Sequence, residues 1–333
     1  MTRAAVLGAG AWGTTFAAVL ADAGTEVALW GRDEAVAQQI NAERRNERFL
    51  PGMDLPEGIR ATADAREALA GADIVAVALP AQKVRGMIGP LADAVPDGAV
   101  VASLMKGIEV GTHARMSDVL REVWGLSAER TLVVSGPNLA REIAVKQPTA
   151  TVVAGTDAGA AEMLAAATAS SYFRPYTNPD VAGVELCGAF KNVIAVGVGV
   201  TDGLGFGHNT TATVITRGLA EITRLGVALG AHPDTFSGLA GMGDLIATCA
   251  SPLSRNHTLG AHIGRGLGLE EAIERTGGTA EGVQTSRSIQ ELAREHGVEV
   301  PICDAVVDML HHGEPIKDLL SKLLSRPRKA ELT

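Results

Sequence analysis

Short β-branched runs alternate with alanine-rich helical patterns in the first half of the chain, and this alternation constrains the fold most. The runs that predict strands are residues 4–7, 26–30, 74–79, 100–104, 132–135 and 151–154. The helical patterns between them include residues 12–23, 34–41 and 112–124. Strands that alternate with helices form βαβ units, in which helices cover both faces of a parallel sheet. The first half is therefore predicted to be α/β, with a doubly wound sheet.

Strand-like runs disappear after residues 176–180, and helical patterns punctuated by Gly and Pro fill the rest of the chain. The sequence predicts two domains, an α/β domain over residues 1–180 and an all-helical C-terminal domain over residues 181–333. A chain of 333 residues is long enough to give each of them its own core.

Charge and cysteine usage exclude several classes of protein. The net charge of -9 argues against nucleic acid as a partner. Cys187, Cys249 and Cys303 are far apart and show no metal-binding spacing, so we expect no metal, no disulfides and a reducing compartment. The longest apolar run, residues 193–200, is shorter than the roughly 20 residues that span a bilayer. With the first predicted strand starting almost at the N-terminus and no visible signal peptide, we expect a cytoplasmic protein without a membrane span.

A glycine-rich turn joins the first predicted strand to the first predicted helix. Residues 8–13 read G-A-G-A-W-G, which fits the pattern G-x-G-x-x-G. In this context Gly8 allows the tight turn, Gly10 lets a pyrophosphate approach the backbone, and Gly13 lets the helix pack on the strand. The segment predicts a Rossmann-type dinucleotide site that includes Ala11 and Trp12, and a turn without a ligand is the alternative.

The end of the second predicted strand bears on the choice of cofactor. It reads L-W-G-R-D over residues 29–33, so Arg32 and Asp33 stand where such sites usually carry one acidic residue. A guanidinium suits the 2′-phosphate of NADPH better than a bare ribose. We therefore expect NADPH to be favoured, while Asp33 leaves NADH open and a solvated loop cation is the alternative for Arg32.

Two more segments follow predicted strands, at the sheet edge where ligands of open α/β sheets bind. Lys106 lies just past the strand 100–104, and Gly136 and Asn138 follow the strand 132–135. Gly136 allows backbone to approach a substrate, and Asn138 offers both a donor and an acceptor. The alternatives are a helix N-cap for Asn138 and an exposed loop position for Lys106.

One lysine stands in an otherwise apolar helical pattern. Residues 183–199 read G-V-E-L-C-G-A-F-K-N-V-I-A-V-G-V-G, and the apolar residues cover almost the whole helix surface. Burying the ammonium of Lys191 is costly, and the residues one turn away are not acidic. Lys191 is therefore a candidate catalytic group, with a lysine that extends to solvent from a partly exposed helix as the alternative.

Polar groups also stand in two glycine-rich or turn-like segments of the second half. Asp244 and Thr248 are four residues apart and would share one face of a helix that starts near Gly243. Ser254-Arg255-Asn256 combines a hydroxyl, a guanidinium and an amide, which are groups that bind phosphate. The alternatives are a helix-terminal charge for Asp244 and a surface turn for the second segment.

The motifs G-A-G-A-W-G, M-K-G, S-G-P-N-L-A, G-A-F-K-N, D-G-L-G-F-G, G-M-G-D-L and S-R-N occur in this order. Over roughly residues 5–290 they resemble the bacterial NAD(P)-dependent glycerol-3-phosphate dehydrogenase family. The resemblance implies reduction of dihydroxyacetone phosphate to sn-glycerol 3-phosphate for phospholipid synthesis, with Lys191 as proton donor and acceptor. It implies substrate contacts for Lys106, Gly136, Asn138, Lys191, Asn192, Asp244, Thr248, Ser254, Arg255 and Asn256. It implies positions near the cofactor for Trp12, Arg32, Lys106, Ala140, Arg255 and, in the segment T-A-E-G over residues 279–282, Glu281.

The mechanistic hypothesis places Lys191 in a cleft between the two domains, where it reaches the C2 oxygen of the substrate. Burial and the second cation, Lys106, would lower the pKa of Lys191. Asp244 would offset part of this lowering and orient the ammonium. Arg255 would hold the phosphate end. The alternatives are a β-hydroxyacid dehydrogenase, in which lysine and asparagine are about a turn apart rather than adjacent, and a non-catalytic NAD(H)-binding regulator.

The Gly- and Ala-rich second half also suggests a homodimer.

Overall fold

The computed structural model describes residues 2–277, 280–327 and 330. The chain divides into two compact units. The first contains Met1–Gly188 and Gly230–Asp244, and the second contains Ala189–Leu229 and Leu245–Thr333.

The first unit is built on one sheet of eight strands. In chain order they are β1 (Arg3–Leu7), β2 (Glu26–Trp30), β3 (Ile59–Thr62), β4 (Ile74–Val77), β5 (Val100–Ser103), β6 (Thr131–Ser135), β7 (Thr149–Ala154) and β8 (Phe173–Asn178). Their spatial order is β3-β2-β1-β4-β5-β6-β7-β8. Every neighbouring pair is parallel except β6 and β7. The strand order reverses between β1 and β4, which is where ligands of such sheets bind.

The α-helices of the chain alternate with these strands and then continue without them. They are α1 (Ala11–Asp22), α2 (Glu34–Glu43), α3 (Ala65–Leu69), α4 (Val84–Ile88), α5 (Met116–Trp124), α6 (Ala140–Ala144), α7 (Ala158–Thr168), α8 (Val181–Gly203), α9 (His208–Ala228), α10 (Pro233–Ser237), α11 (Asp244–Ala250), α12 (Arg255–Gly264), α13 (Leu269–Thr276), α14 (Glu281–Glu295), α15 (Pro301–Val307) and α16 (Ile316–Leu324). Two 3₁₀ segments flank α4, and π-helical turns precede α11 and follow α15.

Helices cover both faces of the sheet, as the strand pattern predicts. Along β1, Ala4 and Val6 enter a core with Phe16 of α1, and Ala5 and Leu7 enter the core on the other face. Because successive side chains of a strand point to opposite faces, an apolar run without alternation is buried on both. The predicted Rossmann-type fold with a helical C-terminal part is therefore confirmed.

The sequence missed two strands and the direction of a third. Edge strand β3 is only four residues long, with the exposed Arg60 in its middle, so its pattern is weak. At the other edge, β8 contains Pro175, which has no backbone N–H and therefore argues against a strand on sequence alone. The prediction of a wholly parallel sheet was wrong at β7, which runs antiparallel to β6.

The two units differ from the predicted domains 1–180 and 181–333. The division falls between Gly188 and Ala189, inside α8, and Gly230–Asp244 belongs to the first unit. The carboxylate of Asp180 fixes this returning segment by accepting hydrogen bonds from the backbone N–H of His232 at 2.9 Å and the hydroxyl of Thr235 at 2.7 Å. Contacts between residues so distant in sequence leave no local pattern.

In the second unit, α8 and α12 touch through their backbones. A Cβ at Gly260 would lie 2.1 Å from the carbonyl oxygen of Val196, and one at Gly199 would lie 2.1 Å from that of His257. The helices therefore approach as closely as they do because these positions carry no side chain.

By length and hydropathy α8 could cross a bilayer, but 83% of its apolar window is buried inside the protein, as in the core helix of a globular protein.

Candidate active site

The glycine-rich turn lies at the carboxyl end of β1, next to the reversal in strand order. Gly8 has a φ of +122°, and a Cβ there would lie 2.4 Å from the carbonyl oxygen of Ala78. A Cβ at Gly13 would lie 1.9 Å from the carbonyl oxygen of Gly8. Gly10 is the N-cap of α1, provides no side-chain cap, and faces open space within 4 Å of its Cβ position among the described residues. The turn thus leaves the first N–H groups of α1 available to an anion.

The two residues between Gly10 and Gly13 also fit a dinucleotide. The indole Nε1 of Trp12 is buried and has no hydrogen-bond partner in the described part of the chain, so a bound ligand could supply the missing acceptor. No acidic residue stands in the first turn of α1, of which Ala11 is the first residue. This set suits the pyrophosphate and neighbouring groups of NAD(P), as the sequence predicts.

Arg32 and Asp33 follow β2 and differ in their surroundings. Arg32 is exposed and makes no hydrogen bond or ion pair with another described residue. Asp33 is the N-cap of α2, with Oδ1 accepting from the backbone N–H of Ala35 at 3.0 Å. Its Oδ2 lies 2.6 Å from Nη1 of Arg48. Of the two residues, Arg32 is therefore the one whose charge is available to a ligand.

Lys106, Gly136 and Asp244 form one cluster in the first unit. Nζ of Lys106 lies 2.6 Å from Oδ2 of Asp244 and donates to the carbonyl oxygen of Gly136 at 3.0 Å. The side chains of Lys106 and Asp244 are 14% and 2% exposed, so the alternative of an exposed loop lysine was wrong. Gly136 has a φ of +145°, a conformation that favours glycine and turns its carbonyl toward the lysine. That Asp244 orients Lys191 stays a prediction.

Asn138 lies beside this cluster and carries an unused acceptor. Its backbone N–H donates to the carbonyl oxygen of Gly136 at 2.7 Å, and its Nδ2 donates to the hydroxyl of Thr151 at 3.0 Å. Its Oδ1 is buried without a partner among the described residues. The N-cap of α6 is Leu139, so the alternative of an Asn138 cap was wrong. The orphaned oxygen is available to a hydroxyl of a substrate.

Ala140 begins α6 and is held against α1. The hydroxyl of Thr15 donates to its carbonyl oxygen at 3.2 Å. This places Ala140 next to α1, and its position near the cofactor stays a prediction.

Lys191 is buried in the second unit, with 5% of its surface exposed. Its Nζ donates to the hydroxyl of Thr248, which is 5% exposed, at 2.6 Å. A lysine that extends to solvent is therefore wrong as an alternative. The predicted helix that starts near Gly243 is also present, since α11 begins at Asp244 and contains Thr248. A buried ammonium held by a neutral hydroxyl is suited to proton transfer.

Asn192, Glu281 and Asn256 form a second polar group in this unit. Nδ2 of Asn192 donates to Oε2 of Glu281 at 3.3 Å, and Oδ1 of Asn256 accepts from the backbone N–H of Gly282 at 2.9 Å. Glu281 is the first residue of α14. Thr279, from the same predicted segment, lies outside the described residues.

Ser254, Arg255 and Asn256 form the start of α12 rather than the surface turn that was the alternative. The hydroxyl of Ser254 caps the helix by accepting from the backbone N–H of His257 at 3.3 Å. Arg255 is the first helical residue; its side chain is exposed and pairs with no other described residue. A helix N-terminus beside an unpaired guanidinium is an anion-binding arrangement.

Comparison with known proteins identifies the family. Residues 3–161 match the N-terminus and residues 180–321 the C-terminus of NAD-dependent glycerol-3-phosphate dehydrogenase. The chain belongs to the NAD-dependent glycerol-3-phosphate dehydrogenase family.

Relatives support this over the full length. A glycerol-3-phosphate dehydrogenase [NAD(P)+] of Thermobifida fusca is 55% identical over 332 residues, covering 99% of either chain. The enzyme of that name from Streptomyces griseus is 54% identical over 329 residues, covering 99% of this chain and 98% of the relative. The crystal structure of glycerol-3-phosphate dehydrogenase from Coxiella burnetii has a TM-score of 0.92 at 34% identity, covering 98% of this chain and 99% of that one.

Membership in the glycerol-3-phosphate dehydrogenase family confirms the resemblance read from the motifs. It also confirms the predicted class of enzyme, an oxidoreductase that uses NAD or NADP. It does not distinguish the two cofactors.

Sequence reasoning about this dehydrogenase missed several groups that position the site. Asn46 donates through Nδ2 to the carbonyl oxygen of Ala9 at 3.0 Å and to the hydroxyl of Thr14 at 2.8 Å. Thr15 and Thr151 hold Ala140 and Asn138. Single polar residues of this kind form no motif, and their partners are distant in sequence.

Proposed function

We propose that this chain reduces dihydroxyacetone phosphate to sn-glycerol 3-phosphate in the cytoplasm, with NADPH favoured over NADH, for glycerophospholipid synthesis. The observation that supports this most is the buried ammonium of Lys191, 2.6 Å from the hydroxyl of Thr248. It stands in the same unit as the helix start at Ser254, Arg255 and Asn256. The two features match two groups of the substrate, the C2 carbonyl, which becomes an alkoxide, and the phosphate.

Lys191 acts as the general acid in the reducing direction. When bound, the nicotinamide supplies the hydride that reduces C2 of the ketone. Negative charge then grows on the C2 oxygen, and a cation out of bulk water stabilises that charge far more than a solvated one. Lys191 delivers its proton to this oxygen and takes a proton back in the reverse direction. The hydroxyl of Thr248 orients the ammonium by accepting a hydrogen bond from it.

Arg255 and the N-terminus of α12 hold the phosphate. The guanidinium is exposed and forms charge-assisted hydrogen bonds with phosphate oxygens. The backbone N–H groups at the start of the helix add a positive potential. This end supplies affinity, and Lys191 supplies the chemistry.

Lys106, Gly136 and Asn138 position the carbon chain of the substrate. The charge of Lys106 is balanced by the carboxylate of Asp244. Lys106 is therefore suited to donating a hydrogen bond to the substrate rather than to binding its phosphate. The buried Oδ1 of Asn138 accepts from the substrate hydroxyl. An analogue without that hydroxyl leaves this acceptor unpaired and binds less well.

An assay of NADPH and NADH oxidation with dihydroxyacetone phosphate tests the proposal. We expect turnover with both cofactors, and a loss of kcat of about a hundredfold or more in Lys191→Ala, the usual size of a general acid contribution. A cofactor dissociation constant close to that of the wild type would show that the variant is folded. A folded Lys191→Ala enzyme with near-normal kcat would rule out the assignment, and absent turnover in the wild type would rule out the reaction.

The proposal includes a homodimer. Its mass in solution, measured by light scattering during size-exclusion chromatography, decides this point, since a monomer across the working concentration range would contradict it.

A further inference from the structure

The segment over residues 44–50, which follows α2, is anchored against the glycine-rich turn. Its anchor is Asn46, which is fully buried and donates to the carbonyl oxygen of Ala9 and the hydroxyl of Thr14. The carbonyl oxygen of Asn46 accepts from the backbone N–H of Leu50 at 2.8 Å, and Leu50 is also fully buried. The residues between these two anchors are therefore held at a fixed distance from the dinucleotide turn.

Arg48 lies between the anchors and points its charge at Asp33. Its Nη1 lies 2.6 Å from Oδ2 of Asp33, and its guanidinium carbon lies 5.3 Å from the centre of the Phe49 ring. A guanidinium over an aromatic face is restrained in direction as well as stabilised. The side chains are 61% and 45% exposed, so this is a surface pair within reach of a ligand.

Without Arg48, the carboxylate of Asp33 would repel the 2′-phosphate of NADPH. In dinucleotide sites an acidic residue at the end of the second strand accepts from the ribose 2′-hydroxyl and repels a phosphate in its place. Here both carboxylate oxygens are engaged, Oδ1 by the backbone N–H of Ala35 and Oδ2 by Arg48. The neighbouring Arg32 has no partner among the described residues.

We propose that Arg48 is a specificity-determining positioning residue, which binds Asp33 and so allows Arg32 to receive the 2′-phosphate of NADPH. Arg48 acts through Asp33 and does not itself contact the cofactor. The inference rests on the proposed use of NADPH, but it concerns binding and needs no turnover.

Dissociation constants for NADPH and NADH, measured by calorimetry at low salt, test this inference. We expect Arg48→Gln to lower the preference for NADPH by about tenfold, since it leaves an uncompensated carboxylate near the 2′-phosphate. Arg48→Lys keeps the charge and should stay within about threefold of the wild-type ratio. An unchanged ratio in Arg48→Gln would overturn the proposal, since the pair would then be a surface ion pair of no consequence for binding.

The double variant Asp33→Asn/Arg48→Gln separates an indirect role from a direct one. Asparagine still caps α2, so the helix start is preserved while the charge is removed. We expect the double variant to return to within about threefold of the wild-type preference for NADPH. A double variant that binds NADPH as poorly as Arg48→Gln would show that Arg48 contacts the phosphate itself, which also overturns the proposal. Because the readout is binding, a failure of the proposed reaction would show separately, as absent turnover with intact cofactor affinity.

Discussion

The ammonium nitrogen of Lys191 lies 2.6 Å from the hydroxyl oxygen of Thr248, and both residues are 5% exposed. If Thr248 orients the general acid, Thr248→Val should lower kcat by about tenfold or more, while cofactor affinity stays the same. Thr248→Ser keeps the hydroxyl and serves as the matched control, with kcat close to that of the wild type. Equal loss in both variants would show that packing of the threonine methyl, and not the hydroxyl, matters.

Removal of the Arg255 guanidinium should affect binding more than chemistry. We expect Arg255→Ala to raise KM for dihydroxyacetone phosphate by about tenfold or more, because a charge-assisted pair with phosphate is lost. Steady-state kinetics with unphosphorylated dihydroxyacetone provide the control, since the variant and the wild type should then perform alike. A KM unchanged for the phosphorylated substrate would place the phosphate elsewhere.

The partly buried pair of Lys106 and Asp244 should matter for stability as well as for the substrate. Asp244→Asn leaves the Lys106 ammonium without its counter-charge, and breaking such a pair costs about 3–5 kcal/mol. Chemical denaturation should therefore show a large loss of stability in Asp244→Asn. The double variant Lys106→Met/Asp244→Asn should recover much of it, although not activity. A single variant as stable as the wild type would contradict this account of the pair.

Glu221 makes the stability of the protein depend on pH. Its carboxylate accepts from the backbone N–H groups of Ile302 and Cys303 at the start of α15, and burial raises its pKa to about 7. A raised carboxyl pKa means that the folded state keeps a proton which the unfolded chain releases, so the stability from this group is present at low pH and lost as pH rises toward 7. We expect the melting temperature to fall less between pH 5 and pH 8 in Glu221→Gln than in the wild type. Parallel pH profiles would show that Glu221 does not titrate in this range.

The backbone contact between α8 and α12 should tolerate no side chain. Gly260→Ala places a Cβ 2.1 Å from the carbonyl oxygen of Val196, and overpacking of this kind costs about 1–3 kcal/mol or more. Gly86→Ala, inside α4, is the control, because none of the described residues lies within 4 Å of its Cβ position. Thermal unfolding should show a clear loss for the first substitution and little change for the second.

The sequence predicts the parts of the fold that are locally encoded. Continuous apolar runs gave six strands, and the glycine turn gave the dinucleotide site, because each depends on residues close together in the chain. The edge strands β3 and β8 were not predicted, because the exposed Arg60 and the central Pro175 weaken their strand patterns.

Partnerships across the chain were equally hidden from the sequence. Lys106 and Asp244 stand 138 residues apart, and Lys191 and Thr248 stand 57 apart. The motifs name these residues as candidates, but only the folded chain shows which of them share a hydrogen bond. Asn46 and Arg48 belong to no motif, so nothing in the sequence singles them out.

The glycine contacts between α8 and α12 have a consequence for substrate choice. Lys191 is carried by one of these helices and Arg255 begins the other, and the two helices meet backbone to backbone. Neither helix can slide along the other without forcing main-chain atoms together. The distance between the proton-donating group and the anion-binding group is therefore fixed. A phosphorylated ketone with one more carbon between the carbonyl and the phosphate should be turned over poorly, even though it presents the same two chemical groups.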